Sequence, residues 1–450
     1  MPTTDADNGP SLQRAIGPRM LVLFIVGDIL GAGIYALTGK VADEVGGAIW
    51  VPFLVAFTLA ALTAASYAEL VGKYPQAAGA ALYTHKAFRR PFLSFVVAFA
   101  VLMSGVTSAA AAARAFGGDY LAEFIDLPTV LVALGFVLAL AAVNYWGIRE
   151  SVRINVVLTL VEVTGLLVIL GIGLVALLSG DGEPSRALEF DTEGGVLLGV
   201  LGGTALAFYA LLGFEDTVNL AEETDDPPRS YPRALFLGLA ITGVIYLGVA
   251  FVASMILPAD ELSESSGPLL AVVEASGVEF PSKLFAAIAL VAVANTALIN
   301  LIMGSRLLYG MANQGLVPRV LSRVDSHRHT PWVAILTTLV IAAALVSTGD
   351  LEGLADTTVL LLLCVFAVVN IAVLVLRRET VDHRHFRAPT VLPVLGAVAA
   401  VVLASPLTGR EASVYARAGI LLAIGIALWA VDRLARGRAP EVDAQELGAG

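Results

Sequence analysis

The chain has 450 residues, of which 58% are hydrophobic and only 14% are charged. Soluble domains carry roughly 25% charged residues, so this chain has too few polar side chains to cover the surface of a soluble fold. Its 38 acidic residues exceed its 27 Lys and Arg residues, which argues against an extended nucleic-acid-binding face, and its single cysteine excludes a secreted disulfide scaffold.

Apolar stretches close to the length of a membrane helix, roughly 20 residues, recur along the whole chain. Taken in order, they predict twelve spans: Met20–Leu37, Ala48–Leu70, Phe92–Ala113, Val130–Trp146, Asn155–Leu178, Val196–Asn219, Ala234–Leu257, Leu284–Leu308, Pro331–Val346, Thr358–Leu376, Val391–Ser405 and Ala418–Val431. The sequence therefore predicts an all-α polytopic membrane protein with twelve transmembrane helices.

The distribution of cations predicts the orientation, because Lys and Arg are enriched in cytoplasmic loops. With both termini in the cytoplasm, 21 of the 27 Lys and Arg residues fall on the inner side and 6 on the outer side. We therefore predict a multi-pass protein of the cell membrane with both termini cytoplasmic.

The five histidines argue against an intramembrane metalloenzyme, which would need His or paired carboxylates converging within the bilayer. All five lie in predicted cytoplasmic loops: His85, His327, His329, His383 and His385. We therefore expect no enzyme activity and no resident cofactor.

The first predicted span contains a glycine-rich interruption, Gly31-Ala32-Gly33-Ile34. Glycine weakens a helix and lets its backbone approach a ligand closely. A helix that restarts there would present free N–H groups suited to a carboxylate. The alternative is a small-residue packing face between membrane helices.

The sixth span has a second interruption around Leu212-Gly213, followed by Glu215, a carboxylate within or near the membrane. The two interruptions lie about 180 residues apart, and each begins a block of five predicted helices. Interrupted segments at corresponding positions of two halves are typical of a transporter's central site, and five helices per half require the second half to be inverted. The predicted organisation is a cytoplasmic tail (1–19), repeat 1 with helices 1–5 (20–178), an extracellular loop (179–195), repeat 2 with helices 6–10 (196–377), helices 11 and 12 (378–433) and a cytoplasmic tail (434–450).

Four stretches resemble the amino acid–polyamine–organocation permeases in order and spacing. They are Gly31-Ala32-Gly33-Ile34; Tyr67-Ala68-Glu69-Leu70 with Tyr74-Pro75 and Ala78-Gly79; Gly213-Phe214-Glu215 with Asn219, Glu222-Glu223, Pro228-Arg229 and Pro232; and Ser305-Arg306-Leu307-Leu308-Tyr309 with Met311-Ala312, Gly315 and Pro318. The resemblance implies a leucine-transporter-type five-plus-five fold with broken helices 1 and 6 and two further C-terminal helices. It also implies a secondary carrier of amino acids or related amines.

The resemblance further implies a substrate site at the two breaks. The backbone of Gly31, Ala32 and Gly33, continuing to Ile34, would bind the substrate carboxylate. Carbonyls around Tyr209, Ala210, Leu212 and Gly213 would accept hydrogen bonds from its ammonium group. Tyr209 stands where relatives carry an aromatic lid, although it could equally be a core aromatic, and Glu215 is a candidate for gating or pH response.

The ion-coupling region departs from the family pattern. Several proton-coupled relatives have a lysine in helix 5 where this chain has Glu162, and Asp28 occupies a position that is more often uncharged. In sodium-coupled relatives, oxygens matching Gly27, Leu30, Ala292 and Thr296 hold the ion. The i, i+3, i+4 spacing of Ala292, Asn295 and Thr296 would put three potential oxygen ligands on one helix face. Either a sodium ion or a proton could neutralise the two acids, unless both are only packing residues.

We therefore expect a cation-coupled carrier whose partners are a small amino acid or amine and the membrane lipid. A non-transporting nutrient sensor or scaffold subunit with the same fold is the main alternative, and a channel is disfavoured because no repeated filter is visible. The sequence leaves open which substrate is carried, whether transport is uptake or exchange, and the oligomeric state.

Overall fold

The computed structural model describes residues 16–76, 79–146, 152–192 and 194–436 of the chain. The predicted cytoplasmic tails lie mostly outside these ranges, as does Ala78 of the second motif. In the described ranges the regular structure is helical, apart from one isolated bridge between Ile16 and Thr224. The α-helices are α1 (Pro18–Ile29), α2 (Ala32–Val45), α3 (Trp50–Lys73), α4 (Gly79–Phe88), α5 (Pro91–Phe116), α6 (Asp119–Ala122), α7 (Thr129–Trp146), α8 (Val152–Ser179), α9 (Val196–Ala210), α10 (Pro227–Ile256), α11 (Ala259–Glu264), α12 (Pro268–Ala275), α13 (Ser282–Asn313), α14 (Trp332–Thr348), α15 (Leu351–Leu376), α16 (Val391–Ala404) and α17 (Ala412–Arg436).

The long helices confirm the prediction of an all-α polytopic membrane protein. Within the described ranges, eight helices are long and apolar enough to cross a membrane, and the bent pair α1 and α2 raises that number to nine. Three shorter apolar helices, α9, α14 and α16, coincide with the sixth, ninth and eleventh predicted spans. The number of crossings and the division into two inverted repeats stay predictions, because these short helices do not by themselves establish a span.

Both predicted helix breaks are present. The axes of α1 and α2 differ by 43°, with Leu30 and Gly31 between them. α9 ends at Ala210, and the chain turns through residues 211–215 before the 3-10 helix Asp216–Glu223. Gly213 has a φ of +118°, a backbone conformation that side-chain-bearing residues rarely adopt, which explains why a glycine is present in this turn.

Short helices that the span prediction did not include cover one end of the bundle. α11 packs on α2 so closely that a methyl group on Gly39 would overlap the carbonyl of Leu262. Asp119, at the start of α6, accepts hydrogen bonds of 2.8 Å from the hydroxyl of Ser265 and the N–H of Ser266. These contacts seat the α11–α12 segment over the end of the bundle at which α2, α5 and α10 finish.

Aromatic packing fixes the second break to the rest of the bundle. Phe214 lies immediately after Gly213, and its ring centroid is 6.0 Å from that of Tyr67 on α3 and 5.5 Å from that of Phe366 on α15. All three side chains are fully buried. Pairs at such separations gain about 0.5–1.5 kcal/mol beyond area burial, so the cluster holds the turn in one position.

Candidate functional site

The two breaks meet backbone to backbone. A methyl group on Gly33 of α2 would overlap the Cα of Ala210 and come within 2.8 Å of its Cβ, at the end of α9. A methyl group on Gly213 would overlap the carbonyl oxygen of Asp28, at the end of α1. Both glycines are therefore required by close approach, and the sequence signal of glycine at each break has a direct structural cause.

The first break supplies hydrogen-bond donors. The N–H of Gly31 donates to the carbonyl of Ile29 at 2.9 Å, and the N–H of Ala32 donates to Thr296 Oγ1 at 3.0 Å. The next two N–H groups, those of Gly33 and Ile34, have no acceptor among the described residues. They lie in the first turn of α2, where the helix dipole also favours an anion. Of the four residues predicted to bind a carboxylate, Gly31 and Ala32 thus have N–H groups that are engaged within the protein, whereas those of Gly33 and Ile34 have no acceptor among the described residues.

The second break supplies acceptors. The carbonyl of Tyr209 accepts the N–H of Leu212 at 3.3 Å, so it is already engaged. The carbonyls of Ala210 and Leu212 have no donor among the described residues. Because Ala210 lies against Gly33, the acceptors at the end of α9 are close to the donors at the start of α2.

A cavity of about 220 Å³ lies at this junction. Ten of the predicted site residues line it: Asp28, Gly31, Ala32, Gly33, Tyr209, Ala210, Leu212, Gly213, Glu215 and Thr296. Six are absent from its wall: Gly27, Leu30, Ile34, Glu162, Ala292 and Asn295. The cavity also touches residues 79–81 of α4 and Arg306 of α13, so it extends toward the end of the bundle opposite α11 and α12.

Sequence reasoning missed the wall formed by α5 and α13. This wall includes Ser104, Gly105 and Ser108 on α5 and Asn300 and Gly304 on α13. Spacing at i and i+4 was the available signal, since Ser104 and Ser108, and likewise Thr296, Asn300 and Gly304, each share one helix face. The same pattern is common where membrane helices simply pack, which is why it did not stand out.

Tyr209 forms part of the cavity wall. Its phenol oxygen shares a hydrogen bond of 3.0 Å with the hydroxyl of Ser108, and its side chain is 6% exposed. The bond joins α9 to α5 beside the first break. Its role as a lid over substrate stays a prediction.

Glu215 forms a hydrogen bond within the turn that makes up the second break. Its Oε2 accepts the N–H of Gly213 at 2.9 Å, and the residue is buried at the cavity wall, where Asp28 and Asp216 are half-buried. The carboxylate therefore satisfies a backbone donor that the turn would otherwise leave unpaired.

Glu162 lies behind the cavity, between α8 and α13. It is fully buried, and its Oε1 accepts a hydrogen bond of 3.0 Å from Asn295 Nδ2. Its second oxygen has no hydrogen-bond partner among the described residues, and the same holds for Thr159 Oγ1 one turn earlier on α8. Asp28, by contrast, lines the cavity, so the two acids that we expected to share one site lie in different surroundings.

The predicted sodium ligands of α13 have hydrogen-bond partners within the protein. Thr296 Oγ1 donates to the carbonyl of Ala292 at 3.2 Å and accepts the N–H of Ala32, so both α13 oxygens are engaged. Gly27 packs against Thr159 of α8, where a methyl group would overlap the hydroxyl. Asn295 turns toward Glu162, because adjacent helical residues point about 100° apart. The two α13 ligands are therefore engaged within the protein in this structure, and sodium binding here stays a prediction.

Comparison with known proteins agrees with this architecture. A family model described as amino acid permease matches residues 16–429. The branched-chain amino acid permease BcaP of Bacillus subtilis is 26% identical over 411 residues, which cover 86% of each chain. An uncharacterised transporter of Mycobacterium tuberculosis is 30% identical over 448 residues, covering 98% of this chain and 96% of that protein. The chloroplastic cationic amino acid transporter 9 of Arabidopsis thaliana is 29% identical over 345 residues, covering 70% of this chain and 58% of that protein.

Proposed function

Because this chain belongs to the amino acid permease family, we propose that it is a secondary carrier that moves amino acids across the cell membrane by alternating access. Family membership makes it a transporter of amino acids and not an enzyme. The observation that supports the carrier site is the facing pair of breaks. The N–H of Gly33 suits a carboxylate, and acceptors at Ala210 and Leu212 suit an ammonium group. A zwitterion needs both kinds of group.

The shape of the cavity supports access from one side. With both termini in the cytoplasm, as the cation distribution favours, α4 and Arg306 lie on the cytoplasmic side and the α11–α12 segment lies outside. The cavity then extends inward, while contacts of α11 with α2 close the outer end. Carrying substrate across requires the outer contacts to open when the inner path closes.

We assign ion coupling to Glu162 and a proton. A fully buried carboxylate with one unpaired oxygen costs free energy unless it is neutralised. The predicted sodium ligands are engaged elsewhere, whereas a proton needs only the carboxylate itself. Relatives with a lysine at this position place a charge there, and here the charge is carried by a group that can gain and lose a proton.

The test is transport by purified protein in proteoliposomes. We expect the parent protein to exchange labelled amino acid against an internal amino acid pool and to accumulate it when an inward proton gradient is imposed. A sodium gradient alone should drive no accumulation. Glu162→Gln should keep exchange but lose the response to the proton gradient, and Thr164→Val, on an exposed part of the same helix, should behave as the parent.

A different result would contradict each part of this proposal. Accumulation driven by sodium alone, or an intact proton response in Glu162→Gln, would remove the coupling role of Glu162. Binding of amino acids without any exchange would favour the alternative, a nutrient sensor or scaffold subunit with this fold.

A further inference from the structure

The cavity wall opposite the two breaks combines apolar side chains with neutral polar ones, and its charged residue, Arg306, lies toward the C-terminal end of α13. α5 contributes Ser104 and Ser108, α13 contributes Asn300, and α15 contributes Thr358. The acids of the cavity, Asp28, Glu215 and Asp216, belong to the segments around the breaks instead. The side chain of a zwitterion bound at the breaks would therefore meet apolar side chains together with these four neutral hydrogen-bonding groups.

Most of these groups already have partners within the protein. Ser104 Oγ donates to the carbonyl of Val101 at 2.7 Å. Thr358 Oγ1 shares a hydrogen bond of 2.7 Å with Thr107 Oγ1. Ser108 Oγ is bonded to Tyr209 Oη at 3.0 Å and accepts from Asn300 Nδ2 at 3.4 Å.

Asn300 differs because its amide oxygen is available. Nδ2 donates to the carbonyl of Thr296 at 2.9 Å, and this bond to an acceptor determines which end of the amide is nitrogen. Oδ1 accepts no hydrogen bond from any described residue. It faces Gly105 of α5, where a methyl group would lie 3.3 Å from it. The missing side chain at Gly105 leaves space beside this oxygen.

Asn300 is also one helical turn beyond Thr296, the residue that holds Ala32 at the start of α2. Residues four apart share a helix face, so Oδ1 lies next along the wall from the carboxylate-binding end of the cavity. We expect the side chain of an amino acid bound at the breaks to extend along this wall.

From this arrangement, and resting on the proposed carrier function, we propose that the substrates are amino acids whose neutral side chains end in an O–H or N–H donor, with Asn300 Oδ1 as the acceptor that selects them. A branched aliphatic side chain in the same space would cover this oxygen without pairing it, and a site built to bond a polar group disfavours analogues that lack it. Gly105 sets the size of the space.

The experiment is competition for exchange in proteoliposomes. Unlabelled serine, threonine, asparagine and glutamine are compared with valine and leucine and with lysine and arginine as competitors of a labelled amino acid. For the parent protein we expect the hydroxyl and amide side chains to compete about tenfold better than valine and leucine, as expected for loss of one buried hydrogen bond. Asn300→Leu should abolish this preference, and Gly105→Val should weaken glutamine more than serine.

Thr337→Val, on α14 and outside the cavity wall, is the matched control and should leave the ranking unchanged. The proposal is overturned if the parent prefers valine or leucine, if Asn300→Leu keeps the parental ranking, or if lysine and arginine compete best, which would assign recognition to the acids. If Asn300→Leu does not insert into the membrane, the order in which amino acids compete for exchange by the parent protein still tests the proposal. Absence of any amino acid exchange would instead count against the carrier function itself.

Discussion

The two broken helices of this transporter share a glycine signal, yet they are built differently. In the first, only Leu30 and Gly31 separate α1 from the 14-residue helix α2. In the second, five residues separate α9 from an eight-residue 3-10 helix. After the first break the chain therefore restarts as a regular helix with free N–H donors. The second break instead leaves free carbonyl acceptors at the end of α9.

The two breaks also depend on different partners. Distant helices hold the first: Tyr246 of α10 donates to the carbonyl of Ile29 at 2.8 Å, and Thr296 of α13 accepts the N–H of Ala32. The second is held partly by its own carboxylate, Glu215, bonded to Gly213 two residues earlier, and partly by the packing of Phe214 against α3 and α15. The comparison teaches that the shape of the first break is a product of tertiary packing, whereas local sequence accounts for part of the second.

The largest expected effect comes from separating the two breaks. Gly33→Ala places a methyl group into the backbone of Ala210, and overpacking of this kind costs about 1–3 kcal/mol. Transport should fall near background while the protein still inserts, and Gly31→Leu and Gly33→Leu should do the same. Gly171→Ala, on an open face of α8, is the control and should transport normally. Normal uptake by Gly33→Ala at parental membrane levels would rule out the facing arrangement.

The second effect tests the turn at Gly213. Gly213→Ala combines a strained positive φ with overlap at the carbonyl of Asp28. Gly195→Ala, where φ is +103° and the space is open, measures the backbone strain alone, which is about 1–3 kcal/mol. We expect a greater loss of thermal stability and of transport in Gly213→Ala than in Gly195→Ala. Equal losses would show that contact with α1 contributes nothing.

The third effect tests the dependence of the first break on α13. Thr296→Val keeps the side-chain shape but removes the acceptor for the N–H of Ala32, which costs about 1 kcal/mol or roughly fivefold in an equilibrium. Apparent affinity should weaken by a similar factor in a transport assay. Thr338→Val removes a comparable buried hydroxyl on α14 and serves as the control. An unchanged affinity in Thr296→Val would mean that the first break keeps its shape without the hydrogen bond to α13.

The smallest effect on affinity is expected at Glu215. Glu215→Gln retains an oxygen for the N–H of Gly213 but removes the charge from the cavity wall. Affinity should change little, while the pH dependence of transport becomes flatter than that of the parent protein. A mutant pH profile that overlays the parental one would make Glu215 purely structural.

Much of this architecture follows from local sequence patterns. Apolar stretches predict the helices because a bilayer requires long apolar segments with internal hydrogen bonds. Glycine at positions 31, 33 and 213 predicts both breaks. The failures concern which face of a helix meets which neighbour: Asn295 and Thr296 are adjacent on α13, yet one bonds Glu162 and the other bonds Ala32. Helical spacing shows which residues share a face, but it does not show which neighbouring helix that face contacts.

The sequence by itself determined the helical membrane fold, the family and the two interruptions, because each depends on residues that are close together in the chain. Only the tertiary structure decided which groups of the breaks remain available. The N–H of Ala32 is lost to Thr296, 264 residues away, and the polar wall of α5 and α13 forms only when those helices pack together. Contacts of this kind depend on the relative rotation of whole helices, and that rotation is set by the packing of every face at once.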